Sequence, residues 1–284
     1  MKTPLYTLVV PRFEDIFHSF YAQEIIKGAS SAASRLKLDM LIHISERFVH
    51  EEWEHSALFT SGNTSGILFA DIDQDRAGLK TIINRNIPYV VLNNYFLEPV
   101  NCIGIDNYKA TRQIIDYLVG LGHVNIAAIC GDLNTEAGQE RLKGYTDGLK
   151  AHNISINKQY IKKGGFLRTP ARRAAEILLG LPERPTAVFA ASDVMALEVL
   201  DVAKQKNITV PQQLSVVGFD DNPLNNYSAV GLTTVRQPIE EMARIGLETL
   251  HRIVRREEAV PIQKKLSARL IKRDSCSTCA AVKP

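Results

Sequence analysis

The sequence is poor in cysteine, has little net charge and contains no long apolar run, and each shortage excludes a class of protein. Four cysteines in 284 residues are too few for a disulfide-stapled secreted scaffold. A formal net charge of +3, spread along the chain, does not form the basic footprint of a nucleic-acid-binding surface. The apolar runs are far shorter than the about 20 residues of a membrane span, and the N-terminus shows no signal-peptide pattern. We therefore expect a cytoplasmic protein without a membrane segment.

The cysteines themselves predict no metal centre. Cys102 and Cys130 lie in apolar, strand-like runs, where a free thiol behaves as a small hydrophobic side chain. Cys276 and Cys279 form a C-x-x-C pair, but a zinc site of four thiolates needs a second close pair, which the sequence lacks. We expect this pair to lie in a loose C-terminal tail, with redox or metal chemistry as the alternative.

Signatures of catalysis and of cofactor binding are also missing. The segment HEEWEH, residues 50–55, separates its histidines by five positions, whereas the zinc-protease helix requires four. GLG at residues 120–122 ends a predicted helix and precedes a strand, the reverse of the order in a dinucleotide-binding turn. The sequence has neither a Walker loop nor a G-x-S-x-G elbow. It predicts no catalytic residue and no cofactor, and an α/β enzyme is only the third alternative.

What the sequence does contain is an alternation of short β-rich runs with longer segments of helical period. The predicted strands are Leu5–Val10, Met40–Ile44, Gly66–Ala70, Pro88–Leu92, Cys102–Ile105, Asn125–Cys130, Tyr160–Lys163, Ala187–Ala190 and Ser215–Phe219. Strands that are apolar throughout and separated by helices indicate parallel sheets covered on both faces. The predicted fold class is therefore α/β, with doubly wound parallel sheets.

Chemically diverse side chains follow several of these strands. The run SVVGF ends at Asp220 and Asp221, and the segment GDLNTEAGQER, after another strand, leads to Arg141. Ligands of doubly wound sheets bind beyond the carboxyl ends of the strands. A carboxylate, a guanidinium and aromatic faces together suit a polyhydroxylated ligand. The alternative is that the two acids only cap the element that follows.

The chain resembles the effector-binding portion of the LacI/GalR family of bacterial transcription regulators. The segments that carry the resemblance are TLVVPRFEDIFHSFYAQEIIKGASSAA, GIDNYKATRQIIDYLVGLGHVNIAAICG, QERLKGYTDGL, the ordered set RPTAVFAASD, SVVGFDD and LTTVRQP, and ARLIKRDSC. The resemblance implies two similar α/β lobes of the periplasmic-binding-protein type, with the effector in a cleft between them. The implied N-terminal lobe holds residues 1–104 and 238–261, and the C-terminal lobe holds 105–237 and 262–284.

The resemblance also implies a set of effector-binding residues, matched position by position. Phe20 and Tyr21 correspond to cleft aromatics, Arg141 to the arginine that grips the effector, Asp220 to its acidic partner and Phe166 to a stacking aromatic, while Asn93 and Ser192 stand where many members carry Asp and Asn. These two departures leave the identity of the effector open. A sugar or sugar derivative is expected. The charged first loop, with Arg12, Glu14 and Asp15, keeps a charged or phosphorylated effector as an alternative.

Further expectations concern Arg141 and the partners. If its guanidinium faces a cleft, Arg141→Ala should remove effector binding with little loss of stability. Family members are homodimers in which the effector controls operator DNA binding through linkage. The helix-turn-helix of the family has no counterpart in this sequence, so we expect a piece of a longer regulator that does not itself recognise operator DNA. The alternative is the solute-binding protein of a sugar transporter, which shares the fold.

Overall fold

The computed structural model of the chain describes residues 4–11, 19–45, 59, 62–72, 76–96 and 98–279. The chain divides into two compact units. The first unit comprises Met1–Ile105 and Pro238–Leu266, and the second comprises Asp106–Gln237 and Ser267–Pro284. Each unit combines a parallel sheet with α-helices, which confirms the predicted α/β fold class.

The described residues form twelve strands and seven α-helices. The strands are β1 (Leu5–Pro11), β2 (Asp39–Ser45), β3 (Gly66–Phe69), β4 (Tyr89–Leu92), β5 (Cys102–Ile105), β6 (Ile126–Cys130), β7 (Ile161–Lys163), β8 (Ala187–Ala190), β9 (Ser215–Val217), β10 (Thr234–Arg236), β11 (Gln263–Leu266) and β12 (Arg269–Ile271). The helices are α1 (Phe20–Leu36), α2 (Arg76–Asn84), α3 (Asn107–Gly120), α4 (Glu136–Ala151), α5 (Arg168–Leu178), α6 (Asp193–Gln205) and α7 (Ile239–Val254). Short 3₁₀ helices cover Lys158–Tyr160 and Pro223–Tyr227.

The first unit is built on a six-stranded sheet with the order β11-β5-β4-β3-β1-β2, in which every neighbouring pair is parallel. Strands β3, β4 and β5 are buried along their whole length, as expected for strands covered on both faces. Helices α1 and α7 pack together very closely at Gly28. A Cβ atom there would lie 2.1 Å from the backbone oxygen of Glu240, so only glycine permits this approach.

The second unit contains a four-stranded parallel sheet with the order β7-β6-β8-β9 and an antiparallel pair of β10 with β12. Helix α3 begins at a capping aspartate and ends just before a glycine. The carboxylate of Asp106 accepts a hydrogen bond from the backbone N–H of Lys109, and Gly122, with a φ of 87°, follows the end of the helix. The carboxyl ends of β6, β8 and β9 share one edge of the sheet, because parallel neighbours run in the same direction.

Residues 262–266, expected in the C-terminal lobe, belong to the first unit instead. Their strand β11 pairs in parallel with β5, which places Gln263 opposite Cys102 and Leu266 opposite Ile105. The sequence QKKL of β11 is largely exposed, so it lacks the apolar run by which nine of the strands were predicted. Lysines at the edge of a sheet also hinder pairing with a further strand.

The expectation of a loose C-terminal tail is wrong for the described residues up to 279. Ser275 is fully buried, and its hydroxyl donates to the carbonyl of Val216 at 2.6 Å and accepts from the backbone N–H of Thr233 at 2.8 Å. The backbone N–H of Cys279 donates to the carbonyl of Leu121 at 2.8 Å. The tail therefore closes over β9 as part of the second unit.

Two further features concern the described residues only. The four cysteines are free thiols, and no group of three or more potential metal ligands occurs there. No helix in the same part of the chain is long and apolar enough to cross a membrane.

Replacing Ser275 by alanine tests the role of the tail. We expect the free energy of unfolding to fall by about 1–3 kcal/mol, because the buried N–H of Thr233 loses its acceptor. Urea unfolding measures the change. The exposed Ser155→Ala serves as the matched control, and its effect should stay within about 0.5 kcal/mol. Equal effects of the two substitutions would show that the tail contributes no buried hydrogen bond.

Candidate functional site

The two neighbouring acids that follow β9 have different environments. Asp221 accepts a hydrogen bond from the Nε of Arg236 at 2.5 Å and another from the Nη2 of Arg273 at 2.6 Å. Partial burial acts to raise the pKa of this carboxyl, but the hydrogen bonds and charges of the two guanidinium groups outweigh it and hold the pKa below its usual value. Asp221 therefore ties β10 and the segment after β12 to the end of β9.

Asp220 carries no such cationic clamp. Its Oδ1 accepts from the side-chain amide of Gln237 at 2.6 Å, and its Oδ2 accepts a longer hydrogen bond, of 3.4 Å, from the backbone N–H of Asp193. Burial and the nearby Asp193 carboxylate raise the pKa of Asp220 to about 7, against the opposing charge of Arg141. Asp220 also has a φ of 134°, which is uncommon for a residue other than glycine.

Asp193 fastens the loop that follows the two acids. Its fully buried carboxylate accepts from the backbone N–H of Asn222 and the side-chain amide of Asn225, both at 2.7 Å, and from the hydroxyl of Thr234 at 2.6 Å. Burial raises the pKa of this carboxyl, although its three donors oppose the effect. The neighbouring Ser192 is the N-cap of α6 and accepts from the backbone N–H of Met195.

Arg141 lies on α4 with only 4% of its surface exposed. Its Nε donates to the Oδ1 of Asn107 at 2.9 Å, its Nη1 to the carbonyl of Ala191 at 2.6 Å, and its Nη2 to the Oε1 of Gln237 at 3.2 Å. The guanidinium carbon lies 3.7 Å from the ring centroid of Phe219. Because Arg141→Ala would leave these buried acceptors without their donor, the structure gives reason to expect that the substitution lowers stability.

Phe166 is brought to the same edge of the sheet as Arg141. Its ring centroid lies 5.6 Å from the guanidinium carbon. A Cβ atom at Gly131, directly after β6, would lie 2.1 Å from the Cζ of this ring, so the glycine makes room for it. In the second unit, the structure thus gathers the predicted Arg141, Phe166, Ser192 and Asp220 at the carboxyl ends of β6, β8 and β9.

The predicted residues of the first unit lie at the corresponding edge of its own sheet. The hydroxyl of Tyr21 donates to the carbonyl of Ala70, directly after β3. The side-chain amide of Asn93, directly after β4, donates to the Oδ2 of Asp71 at 3.0 Å. The Oδ1 of Asn93 is buried and accepts no hydrogen bond from the described residues. Phe20, the first residue of α1, is partly buried.

Two sets of residues discussed above lie outside the described residues. They are Arg12, Glu14 and Asp15 of the first loop, and the segment of residues 50–55.

Three residues of the second unit's site were missed by sequence reasoning. Gln237 and Asn107 bond the guanidinium of Arg141, and the ring of Phe219 lies against it. Gln237 stands in the quoted motif LTTVRQP, but strand β10, which leads to it, has only three residues. A strand of three residues is too short to show the alternation of apolar and polar side chains by which a strand is recognised in a sequence.

A family profile and solved structures show the class of protein to which this chain is similar. A family profile described as a periplasmic binding protein-like domain matches residues 115–276. Among solved structures, a regulatory protein of the LacI family from Chloroflexus aggregans superimposes with a TM-score of 0.88 at 25% identity, covering 96% of this chain and 98% of that one. A transcriptional regulator CelR–cellobiose complex gives a TM-score of 0.88 at 28% identity, covering 96% of this chain and 85% of that one.

Curated relatives then narrow the class to a family. The HTH-type transcriptional regulator DegA of Bacillus subtilis (strain 168) is 30% identical over 280 residues, which cover 97% of this chain and 82% of DegA. The HTH-type transcriptional repressor CytR of Escherichia coli (strain K12) is 38% identical over 162 residues, which cover 56% of this chain and 48% of CytR. The chain belongs to the LacI/GalR family of transcription regulators.

The raised pKa of Asp220 predicts a pH-dependent effect of Asp220→Asn. The folded state holds a proton that the unfolded state, with an ordinary aspartate, has already released, so wild-type stability falls as the pH rises from about 4 to about 7. Asparagine does not ionise, so the Asp220→Asn variant does not lose stability in this way as the pH rises. The quantity to compare is the free energy of unfolding of the variant minus that of the wild type. We expect this difference to be roughly 1–3 kcal/mol larger at pH 8 than at pH 5.

Urea unfolding of both proteins at the two pH values measures this difference. Any packing cost of the substitution is common to both pH values and cancels. A stability difference that is the same at pH 5 and pH 8 would contradict the prediction.

Proposed function

We propose that the second unit binds a small, neutral, polyhydroxylated effector, namely a sugar or a sugar derivative, and that this binding controls the attachment of a regulator to operator DNA. The observation that carries the proposal is the coupled group of Arg141, Gln237 and Asp220 at the carboxyl ends of the strands. Ligands of parallel α/β sheets bind at this edge. Of the seven residues predicted from the sequence, Arg141, Phe166, Ser192 and Asp220 are proposed as the effector contacts of this unit. Phe20, Tyr21 and Asn93 belong to the first unit and stay a prediction from the sequence.

The chemistry of the group favours a polyol over an anion. Asp220 accepts hydrogen bonds from hydroxyl groups, Arg141 donates to them, and the ring of Phe166 suits the apolar C–H face of a sugar. A phosphate at this place would add negative charge beside Asp220, whose ionisation is already disfavoured by burial and by the Asp193 carboxylate. The phosphorylated effector considered from the first loop therefore receives no support from the described residues.

The relatives support a regulatory role. CelR is described in complex with cellobiose, and CytR is a transcriptional repressor. A cytoplasmic homodimer is proposed on the same basis, because a two-fold regulator matches a two-fold operator. The relatives reported above are regulators rather than transport proteins or enzymes, which favours this role over the transporter alternative. The effector acts through its differential affinity for two states, typically about 1–3 kcal/mol.

Isothermal calorimetry over a panel of sugars, sugar phosphates and nucleosides, with cellobiose included, tests this function. We expect a neutral sugar to bind and its phosphate to bind more weakly. Asp220→Asn should reduce the affinity for that sugar by at least about 10-fold, since a hydrogen bond to a charged group contributes about 1.5–3 kcal/mol.

Asp116→Asn is the matched control. Its carboxylate lies on the outer face of α3, half exposed and paired with His152, so the affinity should not change. Circular dichroism under the same conditions establishes that each variant is folded. Tighter binding of the phosphate than of the sugar would overturn the proposed neutral class. Equal loss of affinity in the Asp116 and Asp220 variants would overturn the proposed site.

A further inference from the structure

Gln237 links the two charged residues of the site through a single side-chain amide. The residue is buried, with 8% of its surface exposed. Its Oε1 accepts from the Nη2 of Arg141 at 3.2 Å, while its Nε2 donates to the Oδ1 of Asp220 at 2.6 Å. Arg141 and Asp220 are both among the described residues, and they form no direct salt bridge with each other.

The orientation of this amide is determined by its partners. A guanidinium only donates and an ionised carboxylate only accepts, so the amide oxygen must face Arg141 and the amide nitrogen must face Asp220. The chain just before Gln237 is also joined to Asp220, because the backbone N–H of Asp220 donates to the carbonyl of Val235 at 2.8 Å. The side-chain amide of Gln237 is thus held by its two charged partners.

A guanidinium and a carboxylate that share one amide as a hydrogen-bond partner could instead pair directly with each other. Side chains of arginine and aspartate form short, bidentate ion pairs in which each satisfies the other. A ligand would have to break such a pair before it could use either group. An intervening amide satisfies one position on each group and leaves them separate.

We infer that Gln237 is a positioning residue of the effector site, which holds Arg141 and Asp220 apart as an independent donor and an independent acceptor. Gln237 acts through these two side chains rather than by reacting with the ligand. The part of the inference that concerns ligand affinity rests on the proposed function, whereas the separation of the two charges does not.

The ionisation of Asp220 reports on this separation without any ligand. Other charged groups near it are Asp193 at the start of α6 and Asp221, whose carboxylate is held by Arg236 and Arg273. In Gln237→Met the spacer is lost and Arg141 can pair directly with Asp220, so the pKa of Asp220 should fall by about one to three pH units. If Gln237 served only as a hydrogen-bond donor, its loss would raise this pKa instead.

Gln237→Glu should have the opposite effect. A carboxylate then replaces the amide beside Asp220, and two adjacent acids cannot both ionise readily, so the pKa of Asp220 should rise above that of the wild type. A residue with a purely structural role would not produce shifts of opposite sign in these two variants.

Carbon-13 NMR titration of the intact chain, labelled at the aspartate side-chain carboxyl carbons, measures these values. The spectrum of Asp220→Asn identifies the Asp220 resonance. Gln159→Met is the matched control, because Gln159 is exposed, and it should leave the titration unchanged. An unchanged or raised pKa in Gln237→Met would overturn the inference. If that variant does not fold, Gln237→Asn replaces it, since the shorter amide cannot reach both partners and should also lower the pKa.

A second measurement uses cellobiose and any other sugar of the panel that binds the wild type. Both Gln237→Met and Gln237→Glu should bind it at least about 10-fold more weakly. If no sugar binds the wild type, the proposed function fails, while the NMR titration still decides whether Gln237 separates the two charges. If a sugar binds and Gln237→Met retains full affinity, the positioning role in binding is refuted.

Discussion

The cost of burying a permanent positive charge shapes the second unit. The guanidinium of Arg141 cannot be deprotonated in a protein, so its burial is tolerated only where acceptors surround it. Those acceptors come from Asn107 at the start of α3, Ala191 before α6 and Gln237 after β10. The three segments are distant in the sequence, and the fold of the second unit brings them together around the guanidinium.

Three aspartates at this end of the second unit have different partners and therefore different roles. Asp221 is paired with two arginines and holds β10 and the tail, while Asp193 binds three donors of the following loop. Asp220 is left with one amide, one distant backbone donor and an acidic neighbour. Its ionised form is therefore the least satisfied of the three, and an incoming hydroxyl donor would relieve this shortage.

The three side chains of the proposed binding site are preorganised. Arg141, Gln237 and Asp220 are held by backbone and side-chain contacts before any ligand arrives, so little ordering entropy remains to be lost on binding. In a regulator of the LacI/GalR family, the available binding free energy can then be used to favour one conformational state over another. This use depends on the proposed effector, whereas the preorganisation depends only on the folded second unit.

The sequence by itself determined the elements whose signal is local. Fully buried strands such as Cys102–Ile105 and Ala187–Ala190 were predicted at their observed bounds, because apolar runs between helices reflect burial on both faces. Only the tertiary structure decided the rest. Strands β10, β11 and β12 are three or four residues long and partly charged, so they exist through pairing with distant partners. The amide of Gln237 likewise gains its place from Arg141, 96 positions away, and no local pattern in a sequence encodes a contact at such a distance.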